Sequence, residues 1–462
     1  MGAAEASRII GALAVALTVA LGTSGVFAVR AASAAPESIA TRGVHEGVAS
    51  CAGSTCHSRQ VDSGLNVRQN ELITWQDPSS VAGVHSRAWR VLTEPRSQAI
   101  ARKMGIGPAQ NAKECLGCHT DPAPAAQRGA RFQVSDGVGC ESCHGGSSNW
   151  LASHRAVNGS NAANVAAGMK ALNNPKVRAS VCLDCHFGGS KPGQFVTHQI
   201  MAAGHPRVAF ELDLFSNLQQ HWTVDADYVK RKTHAGGVKT WAVGQAMALD
   251  RALTLYGEPG RGQGAFPELY FFDCHSCHRT ISDDPKARPT WQANPGRPIP
   301  SGQPPFNDEN MIMLSAAAKV VAPSLSGRLE TDSRAFHAAL ARDKGDSLRA
   351  AAKLAGTARA LADAFAARNF SRAETLAMLD VVLTGELSRR YTDYAGSAQA
   401  VMAADTLLNA LVSSGQVDRG VAAGIRPSLD RAYAQVRDPN SYRADAFRES
   451  LTRVAQAARA LR

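Results

Sequence analysis

The chain has 462 residues and ten cysteines, and its 50 lysines and arginines exceed its 39 acidic residues to give a formal charge of +11. This length allows two or three domains, and an apolar content of 44% excludes a polytopic membrane protein and a disordered chain. The cysteines form five pairs, each followed directly by a histidine, which excludes an ordinary cytosolic enzyme and disfavours a disulfide-stabilised fold.

Residues 1–34 have the pattern of an export signal. Arg8 supplies the positive charge, an apolar run follows, and Ala-Ser-Ala at 32–34 is a small-residue cleavage site. The alternative is an uncleaved anchor over residues 9–29, because that run is long enough to cross a bilayer. Both interpretations predict an exported, periplasmic protein that is soluble or held to the membrane by its N-terminal segment alone.

Five cysteine motifs follow between residues 51 and 278. Four have the form C-x-x-C-H, and the first has two additional residues between its cysteines. In c-type haem attachment the two thiols bond to the porphyrin and the next histidine binds the iron. The motifs therefore predict five covalently bound haem c groups with their iron. The predicted attachment residues are Cys51, Cys56, Cys115, Cys118, Cys140, Cys143, Cys182, Cys185, Cys274 and Cys277, and the proximal ligands are His57, His119, His144, His186 and His278.

Two other uses of these cysteines fit the pattern less well. Five disulfides would suit an exported chain, but they would not require a histidine after each second cysteine. Zinc sites need four converging Cys or His ligands, and they leave the five adjacent histidines unexplained. The basic excess is interpreted as pairing with about ten haem propionates, so it does not indicate a nucleic-acid partner.

Nine further histidines are candidates for the second, distal iron ligand. Eight of them lie among the motifs, and His337 alone lies beyond residue 300. Five low-spin haems would need five distal ligands, and a haem bound by two histidines has a lower potential than a Met/His haem.

Residues 42–160 resemble the multihaem cytochrome family that includes the tetrahaem electron acceptor of hydroxylamine oxidoreductase in ammonia oxidisers. The resemblance rests on the run G-V-G-C-E-S-C-H-G at 137–145, which His154 follows, and on Trp75 followed by His85.

That resemblance implies particular iron ligands. His85 would be the distal ligand at the haem of His144, and His154 at the haem of His57. By the same resemblance the haem of His119 could be five-coordinate. The family carrier has four haems and no long C-terminal extension, so the resemblance does not reach the rest of this chain.

A second stretch, T-H-Q-I-M-A-A-G-H-P-R at 197–207, resembles larger multihaem relatives. We expect His198 and His205 to be distal ligands at the haems of His186 and His278, in either order. One of them could instead serve the haem of His119, and His221 would then be needed elsewhere.

The remaining histidines are less favoured as iron ligands. His45 and His234 stay open as ligands. His275 lies inside an attachment motif and is interpreted as a surface residue or a propionate contact. His337 is interpreted as a surface residue of a helix.

The predicted fold class is mainly α. Residues 35–284 are predicted to form a pentahaem domain of short helices and long loops, because the cofactors replace much of an apolar core. A proline-rich linker follows at 285–309. Residues 310–462, rich in Ala, Leu and Arg, are predicted to form a helical bundle, which could mediate dimerisation or partner docking.

Two sequence signals support these C-terminal helices. Leu354, Leu361 and Phe365 belong to an apolar stripe with steps of three and four residues. Ser371 and Glu374 have the spacing of a capping box that opens the next helix.

The sequence favours a periplasmic pentahaem cytochrome that transfers electrons between redox partner proteins. The alternative is a multihaem oxidoreductase that acts on a small nitrogen or sulfur compound at a five-coordinate haem, for which His119 is the best candidate. A third hypothesis is a structural role as a cytochrome filament subunit, in which a neighbouring chain completes an iron site. No separate acid–base or nucleophile constellation is visible, so no catalytic residue is predicted.

Overall fold

The computed structural model describes residues 43–61, 68–259, 268–278, 292, 294–297, 299–300 and 303–462. The predicted export signal and much of the proline-rich linker lie outside these ranges. Gly43–Arg462 forms one compact unit. Its described residues are mainly helical, with two isolated β-bridges as their only extended pairing, which confirms the predicted fold class.

Short helices carry the second, third and fourth motifs, as predicted. The first motif lies in a turn, and the fourth continues from a helix into a five-residue π-helical turn, Asp184–Gly188. The ten short helices are α1 Glu71–Gln76, α2 Pro95–Met104, α3 Lys113–His119, α4 Cys140–His144, α5 Leu151–Arg155, α6 Asn161–Ala166, α7 Pro175–Leu183, α8 His198–Ala203, α9 Leu212–Leu218 and α10 Ala226–Arg231.

A long helix, α11 Gly237–Gly257, departs from the prediction of only short helices before residue 284. Its buried residues include Trp241, which has no exposed surface. It packs against α7 and α9 of the motif region and also against the C-terminal helices. A helix covered on several sides needs apolar residues around most of its surface, so it lacks the single stripe by which sequence analysis detects a surface helix.

The C-terminal part of the chain is a stack of helices around a large apolar core. The core contains fully buried aromatic side chains, among them Phe336, Phe365 and Phe447. None of the helices in the described ranges is both long enough and apolar enough to span a membrane. The helices are α12 Glu309–Val321, α13 Pro323–Leu340, α14 Lys344–Ala366, α15 Arg372–Leu383, α16 Gly385–Ser388, α17 Tyr394–Ser413, α18 Arg419–Gln435 and α19 Ala444–Ala457.

Local signals in the sequence explain where these helices begin and which face they bury. The side chains of Ser371 and Glu374 form the reciprocal capping box at the start of α15, as predicted. The stripe on α14 is also confirmed, because Leu354, Leu361 and Phe365 are fully buried.

Polar side chains join the motif region to the C-terminal helices. The buried Glu211, which precedes α9, accepts a hydrogen bond from Thr406 Oγ1 of α17 at 2.8 Å. Gln399 of α17 donates to the carbonyl of Phe210 at 2.7 Å. Unsatisfied buried polar groups are costly, so these bonds fix the position of α9 against α17.

The described part of the proline-rich segment is packed rather than extended into solvent. Arg297 has a side chain that is 3% exposed, and its guanidinium lies 3.2 Å from Asp308 and 2.7 Å from Asp393. It also donates to the carbonyl of Phe306 at 2.9 Å. This segment therefore ties the entry of α12 to the start of α17.

Candidate haem sites

The ten cysteine thiols are all described and all free. Among the described residues no group of three or more His, Cys, Asp or Glu side chains is arranged to hold a metal ion on its own. Each motif instead presents two thiols and the imidazole of the histidine that follows its second cysteine.

The first predicted pair of imidazoles is brought together. The rings of His57 and His154 lie 5.9 Å apart between centres and are stacked with an interplanar angle of 6°. This is the partner that the family resemblance implied for the first motif. Trp150 packs edge-on against His154 and helps to hold its orientation.

A second pair joins the fifth motif to α8. The rings of His198 and His278 have centres 5.9 Å apart. Thr197 caps α8 by accepting from the backbone N–H of Ile200, and the backbone N–H of His198 donates to Glu268 at 2.7 Å. The first residue of α8 is therefore fixed at both its backbone and its ring.

Two further pairs differ from the arrangement implied by the resemblance. His85 lies 6.0 Å from His186, between ring centres, and so approaches the fourth motif instead of His144. His205 lies 6.3 Å from His119, so the position that the resemblance left open has a histidine beside it. One member of each pair, His186 or His205, lies beyond residue 160, where the resemblance over residues 42–160 ends.

The fifth proximal histidine, His144, has His221 nearby. Burial lowers the pKa of His144 to about 4, and the charge of His221 is the next largest cause of that shift. The charge of His221 also acts on His85 and Glu71. His221 therefore lies among the first, third and fourth motifs and is the candidate for the second ligand at His144.

The four measured separations fit two ligands on one iron. Imidazole nitrogens bind divalent metals at about 2 Å, so two imidazoles on opposite faces of one haem iron have ring centres about 6 Å apart. The separations in the four pairs run from 5.9 to 6.3 Å. The residues present therefore fit bis-histidine haem sites.

Several of the imidazoles form hydrogen bonds through Nδ1, which leaves Nε2 free to bind an iron. His119 Nδ1 donates to the carbonyl of Ala88 at 2.9 Å, and His205 Nδ1 donates to the carbonyl of Pro206 at 2.8 Å. His57 Nδ1 lies 3.0 Å from Glu71 Oε2. A carbonyl can only accept, so in the first two rings the proton is on Nδ1 and Nε2 is free to bind metal.

Burial keeps most of these imidazoles in the neutral form that binds a metal. It is the main cause that lowers the pKa of His85, His119, His144, His154, His186, His205 and His221. His57 is an exception, because its hydrogen bond with the Glu71 carboxylate raises its pKa.

Thiols from different motifs meet in two places. Cys51 of the first motif and Cys140 of the third share a hydrogen bond, and so do Cys118 of the second and Cys185 of the fourth. Burial is the main cause that raises the pKa of Cys143 to about 11. The groups attached at such neighbouring thiols would lie next to each other.

One acidic residue of the third motif holds the first motif in place. Buried Glu141 accepts from the backbone N–H groups of Glu46 and Gly47, at 2.8 and 2.7 Å, and from Ser147 at 2.8 Å. No role was predicted for Glu141 or Glu71. The signal for Glu141 was its position between the two cysteines of a motif, where a charged side chain needs a partner if it is buried.

Several buried polar atoms near the first motif have no hydrogen-bond partner among the described residues. They include Arg59 Nε, Asn70 Oδ1 and Trp222 Nε1. Buried donors of this kind are normally satisfied. Arg59 and Trp222 are thus available to haem propionates, which fits an attached group at this site.

The other four histidines have partners other than a proximal ligand. His45 Nδ1 lies 2.7 Å from Asp121, and His234 packs against Tyr228. Two expectations of surface positions are wrong, since His275 is 9% exposed and His337 is 1% exposed. His275 donates from Nε2 to the carbonyl of Pro439 and stacks on Tyr442, and His337 donates to the carbonyl of Ser333 within α13.

Known proteins resemble the first part of this region. The model of the family described as cytochrome c554 and c-prime matches residues 50–145. The resemblance to multihaem c-type cytochromes is confirmed over this segment. A protein named cytochrome c-554 from Nitrosomonas europaea is 31% identical over 127 residues, which are 26% of this chain and 46% of that protein. The chain thus spans about half the length of the curated relative, and no solved structure matches it.

Proposed function

We propose that this chain is an exported, periplasmic pentahaem c-type cytochrome that passes electrons singly between redox partner proteins. The observation that carries the proposal is the set of imidazole pairs, in which four proximal histidines have a second imidazole within 6.3 Å of their ring centre. His221 beside His144 supports a fifth site of the same kind.

The cysteines and histidines would have the same roles in each motif. The two thiols would bond to the porphyrin, and the imidazole pair would hold the iron from both sides. The proposed pairs are His57 with His154, His119 with His205, His144 with His221, His186 with His85, and His278 with His198. A bound haem would supply one-electron oxidation and reduction of its iron.

The chain's own residues prepare these sites. The carbonyl of Ala88 holds the Nδ1 proton of His119, so Nε2 of that ring is the metal-binding nitrogen. Glu71 Oε2 contacts Nδ1 of His57 in the same way, and Nε2 of that ring is again the nitrogen left for a metal. The thiol contacts of Cys51 with Cys140 and of Cys118 with Cys185 support close neighbours for electron exchange between the first and third motifs and between the second and fourth.

The alternative function, an oxidoreductase acting on a small nitrogen or sulfur compound, would need an open iron. The resemblance made the haem of His119 the candidate, but His205 approaches His119 to 6.3 Å between ring centres. This approach favours an electron carrier over an enzyme. The curated relative bears the name of a cytochrome, which agrees with the carrier.

The remaining parts of the proposal concern the rest of the chain. Residues 1–34 would direct export and could provide the only membrane attachment. Residues 35–284 would be the haem domain, 285–309 the linker and 310–462 a helical domain that could support a homo-oligomer. Donor and acceptor would be proteins, with no nucleic acid among the partners.

Substitution of distal histidines tests this proposal. In His205→Ala and His221→Ala, each made separately in the mature protein, we expect one of five haems to become high-spin in electron paramagnetic resonance. The control His45→Ala removes a histidine that lies beside Asp121 and should leave all haems low-spin. An unchanged spectrum in His205→Ala would contradict the ligand role of His205 and reopen the enzyme hypothesis.

A further inference from the structure

Arg207 brings a positive charge to the fifth motif. Its Nη1 donates to Sγ of Cys274 at 3.5 Å, and its guanidinium carbon lies 5.7 Å from the centre of the Tyr270 ring. The side chain is 17% exposed. A charge so little exposed is weakly screened by water and salt, so it acts strongly on its immediate neighbours.

Glu309 brings the opposing negative charge from the C-terminal helices. It is the first residue of α12, its side chain is 11% exposed, and its Oε1 lies 3.6 Å from Arg207 Nη2. Its other oxygen, Oε2, is buried without a hydrogen-bond partner among the described residues. Arg207 is therefore the cation that the structure places against this carboxylate.

Both side chains line a cavity that also reaches His186 of the fourth motif. Tyr270 and Tyr394 contribute aromatic walls to the same cavity. The ion pair thus lies between the fourth and fifth motifs, at the point where the motif region meets the C-terminal helices.

We propose that Arg207 and Glu309 are positioning residues that set the reduction potential of the haem at Cys274, with opposite signs. This inference rests on the proposed function, because it requires a haem bonded to that thiol. Reduction of an iron by one electron removes one positive charge, so a nearby cation stabilises the reduced form and a nearby anion the oxidised form. Arg207 then raises the potential and Glu309 lowers it. Through Glu309, the first residue of α12 becomes part of the redox site.

The test is a potentiometric titration of the mature protein, followed haem by haem with electron paramagnetic resonance. In Arg207→Gln we expect one haem to move to a lower potential, and in Glu309→Gln the same haem to move to a higher one. The expected size is about a tenfold change in its ratio of oxidised to reduced form at a fixed applied potential, or about 59 mV. The double variant should return close to the wild-type potential.

Two control variants separate charge from packing. Arg207→Lys keeps the charge and should keep most of the potential. Arg390→Gln breaks a part-buried ion pair with Glu330, at 2.9 Å. The other side chains that form hydrogen bonds with this pair, among the described residues, are Ser315 and Asn294, so the variant should shift no haem.

The outcomes distinguish this inference from the proposed function. Five haems with unchanged potentials in both charge variants would overturn the inference and leave the pentahaem proposal intact. Shifts in the same direction would also overturn it, because opposite charges cannot act alike. A shift in Arg207→Gln alone would overturn the part assigned to Glu309. Peptide mass spectrometry with no haem at Cys274 and Cys277 would instead contradict the pentahaem proposal.

Discussion

The motif region and the C-terminal helices are held together by different means. Around the first two motifs the buried apolar clusters are small, such as Val48 with Leu72 and Trp75. The C-terminal helices and α11 share one large core that contains Trp241 and Phe365. Folding needs enough buried apolar surface to offset chain entropy. We therefore infer that the motif region needs haem groups to hold its fold, whereas the helical region is held by its own apolar side chains.

Loss of haem attachment should have the largest effect on stability. It should unfold the motif region and leave the C-terminal helices folded. With the second cysteine of every motif changed to serine, we expect residues 43–61 and 68–234 to lose their protection against amide hydrogen exchange. Residues 309–462 should keep most of theirs, because their core is made of apolar side chains. Hydrogen exchange with mass spectrometry measures both regions in one sample.

A matched control is the mature wild-type protein under the same conditions. Equal protection of both regions without haem would contradict the difference drawn here. Loss of protection in both regions would show that the helical core also requires the attached groups.

A cavity in the helical core should have the next largest effect. Phe365→Ala removes a fully buried ring and should lower the free energy of unfolding of the helices by about 3–5 kcal/mol. Its absorption spectrum should still report bis-histidine haems while the protein is folded. The measurement is chemical denaturation followed by circular dichroism and, separately, by haem absorbance.

The stability of the contact between the motif region and the C-terminal helices should depend on pH. Burial is the main cause that raises the pKa of Glu211 to about 7, and it likewise raises the pKa of Asp213 to about 6. An acid with a raised folded-state pKa stabilises the fold below its ordinary pKa, and this contribution is lost as the pH rises through the folded value. Stability should therefore fall between about pH 4 and pH 7, by up to about 1.4 kcal/mol per pH unit for each such group.

Glu211→Gln tests the origin of that slope. Gln does not titrate and retains an oxygen that can accept from Thr406, so the fall in stability between about pH 4 and pH 7 should become shallower. Thermal unfolding measured at several pH values shows it. An unchanged slope would assign the pH dependence to other groups.

A surface ion pair between the two regions should have the smallest effect. Lys176 of α7 pairs with Asp363 of α14, and both side chains are exposed, at 40% and 65%. Exposed pairs of this kind contribute about 0–1 kcal/mol. Lys176→Ala should therefore change the midpoint of denaturation little, and a loss above this range would show that the regions are joined more strongly at their surface than in their interior.

Local sequence patterns predicted what local chemistry determines. The cysteine motifs, the capping box of Ser371 with Glu374 and the stripe on α14 could all be identified from neighbouring residues. The resemblance also placed His154 correctly beside His57.

Contacts between residues that are far apart in the sequence could not be predicted in the same way. The pairing of His85 with His186, and of His205 with His119, depends on how loops far apart in the chain fold back. His275 is buried with a hydrogen bond to the carbonyl of Pro439, a contact that no motif in the sequence predicts. Spacing along the chain carries no information on such contacts.

The most direct test of this account is low-temperature electron paramagnetic resonance on the oxidised, mature wild-type protein, with the haem content measured on the same sample. We expect five haems per chain and only low-spin signals, because four proximal histidines have a second imidazole within 6.3 Å and His221 is proposed for the fifth. A high-spin signal equivalent to one haem would contradict the carrier and favour an open, reactive iron. Four haems would contradict the assignment of the Cys51–His57 motif.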